Sequence, residues 1–399
     1  MQCWDIFCAV VDNYGDIGTC WRLARQLAGE HELRVRLWVD DLQTFARLCP
    51  SIDTSAAEQQ VGSVEIRHWT KPFPNSEAAD VVIEAFACEL PEAYLHAMAG
   101  RAAAPVWINL EYLSAETWVE DCHLLPSPHP KFPLIKHFFF PGFTAGTGGL
   151  IRERQLLAER AAFDGASVAE FWSSLDLPAI ATGLNAEGRE ADMPFDAIDR
   201  ELRVSLFCYD NTALPELLRS LSVGPVPVRV LALPCPAVAR IGSWFGAELS
   251  PGTPLQRGAL TVQAVPFLPQ PTYDRLLWAC DVNFVRGEDS FVRAQWAQQP
   301  FVWQIYPQDE SAHRVKLDAF LTRYLNGFAV PDAVRDCWHA WNGTGDMAAT
   351  WGQFLANRQR IQAHGKVWAC QLDQTDDLAN NLVRFALEKS VLENSEREK

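Results

Sequence analysis

Two aspartates, Asp12 and Asp16, lie four residues apart in the segment DNYGDIG. The segment follows an apolar run that predicts a buried strand and precedes a pattern that predicts a helix, so we expect it at the carboxyl edge of a sheet. It lacks the GxGxxG and GxxxxGKS/T patterns of phosphate-binding loops, and two carboxylates would repel a phosphate. A pair of acids is suited to accepting a proton or to binding a guanidinium through paired hydrogen bonds. The alternative is a glycine-rich turn in which Asp16 only caps the helix.

A second candidate site is the segment RGEDS, residues 286–290, which also lies between a predicted strand and a predicted helix. Gly287 lets the backbone approach a ligand closely. The backbone N–H groups of Asp289 and Ser290 would point outward from the helix start and, with the positive charge of Arg286, would form an anion site. The alternative is a capped helix with acids favourably placed in its first turn.

Aromatic residues follow two predicted strands in the second half of the chain. Phe207 and Tyr209 end one strand. Phe267 and Tyr273 flank the segment PQPT in a later loop. A planar base could stack on such rings for roughly 1–3 kcal/mol, by analogy with nucleic-acid stacking. Core packing is the alternative and is the favoured interpretation for Phe267, whereas Tyr209 and Tyr273 carry hydroxyls at loop edges and are better candidates.

Alternating strands and helices must position these segments. Apolar runs that look buried on both faces predict parallel strands in each half, with helical periodicity between them. The predicted strands are 4–11, 33–39, 81–87 and 106–110 in the first half and 204–209, 228–233, 260–265, 282–285 and 301–305 in the second. The predicted helices of the second half are 214–221, 273–279, 291–298 and 312–324. A Gly/Asn/Glu-rich stretch at 183–193 is the predicted linker. Two doubly wound domains facing one another would leave a cleft at the carboxyl ends of their strands, where ligands of open α/β sheets bind.

Composition limits the classes of protein to consider. The chain has 399 residues, 48% hydrophobic and 21% charged, which is typical of a globular protein of two domains. Its 50 acidic and 34 basic residues give a formal net charge of −16, which argues against non-specific nucleic-acid binding. No apolar run approaches the ~20 residues of a membrane-spanning helix. The 11 cysteines include no CxxC pair, so a reduced, cytoplasmic protein is expected.

The sequence predicts neither a metal site nor a covalent nucleophile. The nine histidines show no HExxH motif and no clustered ligand spacing. There is also no GxSxG motif and no paired Cys/His arrangement. The acid pair and the anion site therefore remain the chemical features from which a function can be argued.

Five segments, in this order, resemble the bacterial elongation factor P arginine rhamnosyltransferases: DNYGDIGTCWRLA, INLEYLSAE, LPSPHP, GGLIRER and RGEDSFVRAQWAQQPFVWQIYPQDE. The similarity covers nearly the whole chain. It implies an α/β fold of the GT-B glycosyltransferase type, with two Rossmann-like domains facing a central cleft. It also implies transfer of L-rhamnose, with inversion, from TDP-β-L-rhamnose to one arginine in the N-terminal domain of elongation factor P, which helps relieve ribosomes stalled on polyproline. TDP-rhamnose is then a donor substrate, and no metal or other cofactor is expected.

The family's functional residues carry over onto matching positions of this sequence. Asp16 matches the proposed general base, and Asp12 matches the first aspartate of the same loop. Glu288 matches the glutamate of RGEDS, and the sequence leaves open whether it positions loop groups, the sugar or the acceptor arginine. The implied thymine-stacking pair is Phe207 and Tyr273. The implied nucleotide-sugar contacts are Asn13, Tyr14, Gly15, Phe207, Tyr209, Gln270, Pro271, Thr272, Tyr273, Arg286, Gly287, Asp289 and Ser290.

Residues 1–183 are the predicted acceptor-binding domain, and residues 194–369 are the predicted nucleotide-sugar-binding domain. A C-terminal helix from about 370 is expected to pack back on the first domain. Two other functions stay open. A nucleotide-sugar epimerase or hydrolase of the same architecture would need no protein acceptor. A non-catalytic nucleotide-sugar sensor would keep its cellular function when Asp16 is replaced by asparagine.

Overall fold

The computed structural model of the chain describes residues 2–12, 14–175, 201–307 and 312–397. The chain forms two compact units, of which the first contains residues 1–154, 314–323 and 371–399 and the second contains residues 155–313 and 324–370. Residues 155–175 thus belong to the second unit, and residues 371–397 belong to the first. The predicted linker at 183–193 lies outside the described residues, and the predicted domain boundaries stay predictions.

The first unit contains an eight-stranded sheet flanked by helices. Its strands are β1 (Cys3–Cys8), β2 (Arg34–Val39), β3 (Glu58–Val61), β4 (Val64–His68), β5 (Val81–Ala85), β6 (Val106–Leu110), β7 (Pro126–Pro128) and β8 (Ile135–Phe139). Its helices are α1 (Gly15–Glu30), α2 (Leu42–Leu48), α3 (Glu92–Ala99), α4 (Trp118–Cys122) and α15 (Leu378–Arg397), with most of α11 (Ala312–Tyr324).

The strand order of the first sheet is β3-β4-β2-β1-β5-β6-β8-β7. The central strands are parallel, and the short strands β3 and β7 pair antiparallel at the two edges. Counting only the parallel strands, the order reverses between β1 and β5. A doubly wound sheet binds ligands at such a reversal, outside the carboxyl ends of the strands. The loop after β1, which carries the two aspartates, lies at this point.

A buried charge pair fixes how β1 sits beside β2. Asp5 and Arg36 are direct partners in the register of the two strands. Arg36 donates from Nε to Asp5 Oδ1 at 2.5 Å and from Nη2 to Asp5 Oδ2 at 2.7 Å, and the Tyr94 hydroxyl also donates to Asp5. Burial raises the pKa of Asp5, although both partners favour its charged form. Removing either Asp5 or Arg36 would leave the other as an uncompensated buried charge. The pair therefore stabilises the position of the strand that precedes the acidic loop.

The second unit contains a six-stranded sheet. Its strands are β9 (Leu202–Leu206), β10 (Val228–Ala232), β11 (Leu255–Arg257), β12 (Leu260–Ala264), β13 (Val282–Arg286) and β14 (Phe301–Gln304). Its helices are α5 (Leu156–Ala162), α6 (Gly165–Ser174), α7 (Leu214–Val223), α8 (Ala237–Phe245), α9 (Gln270–Ala279), α10 (Asp289–Ala297), α12 (Pro331–Trp341), α13 (Met347–Ala356) and most of α14 (Arg358–Leu372).

The strand order of the second sheet is β11-β12-β10-β9-β13-β14, with β11 antiparallel at one edge and the other strands parallel. The order reverses between β9 and β13. Phe207 and Tyr209 follow β9, and the RGEDS segment begins at the end of β13, whereas Phe267 and Tyr273 follow β12. Both candidate segments of the chain therefore lie where a doubly wound sheet binds its ligands.

The predicted α/β architecture is confirmed element by element in its central parts. Each of the nine predicted strands overlaps an observed strand, and each of the four predicted helices of the second half overlaps an observed helix. The observed strands are shorter at their carboxyl ends in several cases, as in β1, because the backbone there leaves the sheet to form the functional loops. The edge strands β3, β7 and β11, together with β4 and β8, were not predicted.

His123, at the end of α4, gives the first unit a specific dependence on pH. Its Nδ1 accepts a hydrogen bond from the backbone N–H of Phe140 at 3.1 Å, and its ring packs edge-on against Phe139. Burial lowers the pKa of His123 from 6.5 to about 4. The folded state therefore favours the neutral ring, and stability that is complete above pH ~6.5 is lost as the pH falls toward 4.

We expect His123→Asn to reduce this loss of folding stability at acid pH. The asparagine carbonyl can still accept the bond from Phe140, but it has no proton to take up. The measurement is the difference in melting temperature between the variant and the parent protein at pH 7 and at pH 4.5. The variant should gain relative to the parent at the lower pH, and a difference that is equal at both pH values would contradict the assignment.

Candidate functional site

Asp16, in the first turn of α1, accepts three hydrogen bonds from other described residues. Its Oδ2 accepts from the backbone N–H groups of Val11 at 2.9 Å and Asp12 at 2.8 Å. Its Oδ1 accepts from the Tyr112 hydroxyl at 3.2 Å. The side chain is only 2% exposed. The carboxylate therefore has a fixed orientation, and its oxygens retain lone-pair positions for a further donor.

The other predicted residues of this loop surround Asp16. The backbone N–H of Gly15 donates to the Asp12 carbonyl at 2.7 Å, and a Cβ at Gly15 would lie 2.7 Å from Asp12 Oδ2. A glycine is thus required for the Asp12 carboxylate to fold back against the turn. The Tyr14 hydroxyl accepts from Arg47 Nη1 at 3.5 Å. Asn13 lies outside the described residues.

The loop after β5 has an unusual backbone beside this acidic loop. Phe86, Ala87 and Glu89 all have φ between +51° and +56°, a left-handed conformation that is costly for residues with a Cβ. The Phe86 ring stacks on Tyr112, with centroids 4.5 Å apart and an interplanar angle of 17°. Since β5 is the neighbour of β1, this stack lies at the same reversal of strand order as Asp16.

Two further acidic residues lie in β5 and just after β6. Asn109 Nδ2, at the end of β6, donates to Glu111 Oε1, and burial raises the pKa of Glu111. Glu84 in β5 is buried and pairs with Lys136, whose ammonium lies 3.3 Å from Glu84 Oε2 and over the ring of Trp107. Glu84 is thus already paired with a lysine, and the setting of Glu111 disfavours its charged form.

Arg286 is the centre of the candidate site in the second unit. It ends β13, and its guanidinium carbon lies 4.5 Å from the ring centroid of Phe207 and 4.4 Å from that of Tyr209. The residue is 6% exposed. The guanidinium is thus flanked by two aromatic rings in a setting largely withdrawn from water, where charges interact more strongly than in solvent.

The turn after Arg286 is fixed by side chains on both sides. Ser290 Oγ accepts from the Arg286 backbone N–H at 3.1 Å and donates to the Arg286 carbonyl. Gly287 has φ +60°, a conformation that favours glycine. The Trp303 indole N–H donates to the Gly287 carbonyl at 2.8 Å, and the Trp303 ring stacks on Phe291 at 3.9 Å. The start of α10 is therefore rigid.

The remaining predicted contacts of the second unit lie around this turn. Gln270 Nε2 donates to Asp289 Oδ2 at 3.4 Å, which brings the starts of α9 and α10 together. Tyr273 meets Phe207 at a centroid distance of 6.2 Å and an interplanar angle of 65°, an edge-on arrangement rather than two parallel faces. Pro271 and Thr272 occupy the first turn of α9, and Glu288 precedes α10 without a side-chain cap bond. These contacts place the residues, while their predicted roles in binding stay predictions.

Sequence reasoning missed Trp303 and Phe86, and it did not predict the contact that Tyr112 makes. Trp303 is predicted only as part of a buried strand, and its indole bond to Gly287 spans 16 positions. A phenylalanine at position 86 gives no indication of a left-handed backbone, which a glycine would have given. Tyr112 lies in the resembling segment INLEYLSAE, but nothing local to it indicates a bond to a residue 96 positions away.

No group of three or more His, Cys, Asp or Glu side chains that could hold a metal ion is found within the described residues. In the part of the chain that the structure describes, no helix combines the length and the apolar character needed to cross a membrane.

Comparisons with known proteins agree on one family. The family described as "Elongation-Factor P (EF-P) rhamnosyltransferase EarP" matches residues 4–387. The chain is similar to protein-arginine rhamnosyltransferases of Pseudomonas putida (48% identity over 96% of this chain and 98% of the relative) and Pseudomonas aeruginosa PAO1 (46% over 96% and 99%). A solved structure that concerns EarP-mediated arginine glycosylation of translation elongation factor EF-P is 35% identical, covers 97% of this chain and 99% of its own, and has a TM-score of 0.67.

Proposed function

The chain belongs to the EF-P rhamnosyltransferase family, a GT-B glycosyltransferase family whose relatives are protein-arginine rhamnosyltransferases, and from this premise we propose its reaction in full. It transfers L-rhamnose from TDP-β-L-rhamnose to an arginine in the N-terminal domain of elongation factor P, with inversion at the anomeric carbon. The observation that carries the proposal is the buried Asp16 carboxylate, held at the strand reversal of the first unit with a lone pair still available.

The first unit is proposed to activate the acceptor. An arginine guanidinium is a poor nucleophile because it is protonated at neutral pH, with a pKa above ~12. A carboxylate pair can bind it through two N–H···O bonds and orient one nitrogen toward the sugar. Asp16 then accepts a proton from that nitrogen as the C–N bond forms, and Asp12 provides the second grip.

The second unit is proposed to bind the donor and to stabilise its leaving group. The bond between the anomeric carbon and the diphosphate oxygen breaks with its electron pair on the oxygen, so negative charge grows on TDP. Arg286 and the backbone N–H groups of Asp289 and Ser290 are the groups suited to balance it. Gln270, Pro271, Thr272 and Tyr273 at the start of α9 are proposed to contact the nucleotide, and Phe207 and Tyr273 to contact its base. Glu288 is proposed to orient the sugar or the arginine.

The balance of the reaction accounts for inversion. The nitrogen attacks the carbon face opposite the departing diphosphate in a single displacement, so no enzyme nucleophile enters. The guanidinium loses one proton to Asp16, and the product nitrogen carries the sugar. Since elongation factor P works with the ribosome, the reaction is proposed to take place in the cytoplasm.

We predict that the reaction needs no divalent metal. The charge that a metal would neutralise at the diphosphate is met here by Arg286 and the helix start of α10. Transfer measured in excess EDTA should therefore keep its full rate, with a metal-dependent glycosyltransferase as the assay control. A loss of rate that Mg²⁺ restores would contradict this prediction.

Intact-mass measurement tests the function directly. Purified elongation factor P is incubated with the protein and TDP-rhamnose, and the expected result is a mass gain of one deoxyhexose, absent when the acceptor arginine is replaced by lysine. Consumption of TDP-rhamnose without any acceptor would favour a hydrolase or epimerase. Binding of TDP-rhamnose with neither turnover nor modification would favour a sensor.

A further inference from the structure

We propose that Tyr112 and Phe86 act as positioning residues for Asp16, an inference that rests on the proposed function because it takes Asp16 as the base. Tyr112 holds one oxygen of the Asp16 carboxylate, and Phe86 holds the ring of Tyr112. Neither side chain is assigned a direct step in the reaction. Their effect is on the direction in which the carboxylate points.

The three hydrogen bonds to Asp16 are not equivalent. The two bonds to Oδ2 come from the backbone of its own loop, so they fix where that oxygen lies. They do not contact the other oxygen. The Tyr112 hydroxyl, from the segment after β6, donates to Oδ1 from outside the loop. The hydrogen bonding of Oδ1 therefore depends on where the Tyr112 ring is placed.

Tyr112 is 41% exposed. Phe86 packs on its ring in a nearly parallel stack and is one of the groups that hold it. To reach it, Phe86 has φ +56° and is followed by Ala87 at +52°, and its backbone N–H donates to the Leu110 carbonyl at 2.7 Å. Consecutive residues other than glycine in this conformation persist only where the surroundings impose it, and such positions cluster at functional sites.

The strained turn thus has a direct structural consequence at the base. The chain after β5 turns back toward β6, lays the Phe86 ring against Tyr112, and so directs the hydroxyl to Asp16. The unbonded lone pair of Oδ1 then keeps one direction, which the acceptor nitrogen needs for proton transfer.

The test uses the full chain with TDP-rhamnose and elongation factor P, and measures kcat and both KM values. Tyr112→Phe keeps the stack and removes the hydroxyl, and we expect kcat to fall about 10- to 100-fold with both KM values within ~2-fold of the parent. Phe86→Leu should lower kcat about 2- to 10-fold. Because Phe86 acts through the hydroxyl, the double variant should be no slower than Tyr112→Phe alone.

Trp118→Phe is the matched control, since Trp118 is an aromatic residue of the same unit that is 48% exposed, packs edge-on against Phe140 and has no part in the proposed contact chain from Phe86 to Asp16. It should leave kcat unchanged. A parental kcat for Tyr112→Phe, while Asp16→Asn is inactive, overturns the positioning role and leaves the proposed function intact. A raised KM for elongation factor P with unchanged kcat makes Tyr112 an acceptor contact instead. Full activity of Asp16→Asn overturns the proposed base itself, and additive losses in the double variant overturn the link through Phe86.

Discussion

Asp16→Asn is expected to lower kcat for rhamnose transfer by about 10³-fold, roughly 4 kcal/mol of transition-state stabilisation, while the protein stays folded. The substitution is close to isosteric. The asparagine oxygen can still accept from the N–H groups of Val11 and Asp12, and its amide can donate to the Tyr112 oxygen, so the loop keeps its contacts. Only the proton-accepting charge is removed. The measurement is the rate of mass gain on elongation factor P with both substrates saturating.

Asp41→Asn provides the control for this substitution. Asp41 caps α2 through the Thr44 backbone N–H at 3.0 Å and the Thr44 hydroxyl at 2.6 Å, and asparagine is an equally good cap. The control removes one carboxylate from the same unit at a helix start that has no place in the proposed chemistry, so it should retain the parental rate. If Asp16→Asn kept that rate as well, the proton would have to leave through another group.

Sequence reasoning found the strands whose two faces are both buried. Strands such as β1 and β13 are buried on both faces, so most of their residues are apolar and the strands can be recognised without any tertiary knowledge. The edge strands lack this property: β3 reads EQQV and β7 reads PSP, and only pairing with β4 and β8 makes them strands. Edge strands are stabilised by their neighbour more than by their own composition.

The candidate site divides in the same way. The acidic loop and RGEDS follow strands directly, so their location at a sheet edge follows from the order of elements. The contacts that orient these segments do not follow from the order of elements. Tyr112 reaches Asp16, and Trp303 reaches Gly287, through packing between distant segments. A hydrogen bond between side chains or turns far apart in sequence has no local signature, and the left-handed backbone of Phe86 contradicts local preference. Sequence therefore predicted where the candidate groups lie better than it predicted the contacts that hold them.

Arg286→Gln should be the most damaging substitution in the second unit, with kcat reduced by about 10²-fold and the KM for TDP-rhamnose raised. The reason is the setting of the guanidinium: it is stacked on Phe207 and Tyr209 and largely shielded from water, so its charge would act on a bound diphosphate with little screening. Glutamine fills part of the volume but carries no charge. Steady-state rates over a series of donor concentrations separate the two effects.

Arg286→Lys separates the effect of the positive charge from that of the planar guanidinium. Lysine restores the cation but not the planar group that stacks on two rings, so it should recover part of kcat and little of the donor affinity. Arg335→Gln is the matched control, because Arg335 forms an exposed pair with Asp332 within α12 and such pairs contribute little to stability. Parental donor kinetics are expected for that control. Equal donor KM values for Arg286→Gln and the parent would mean that the diphosphate is bound elsewhere, because a buried cation that touched it could not be neutralised without loss of affinity.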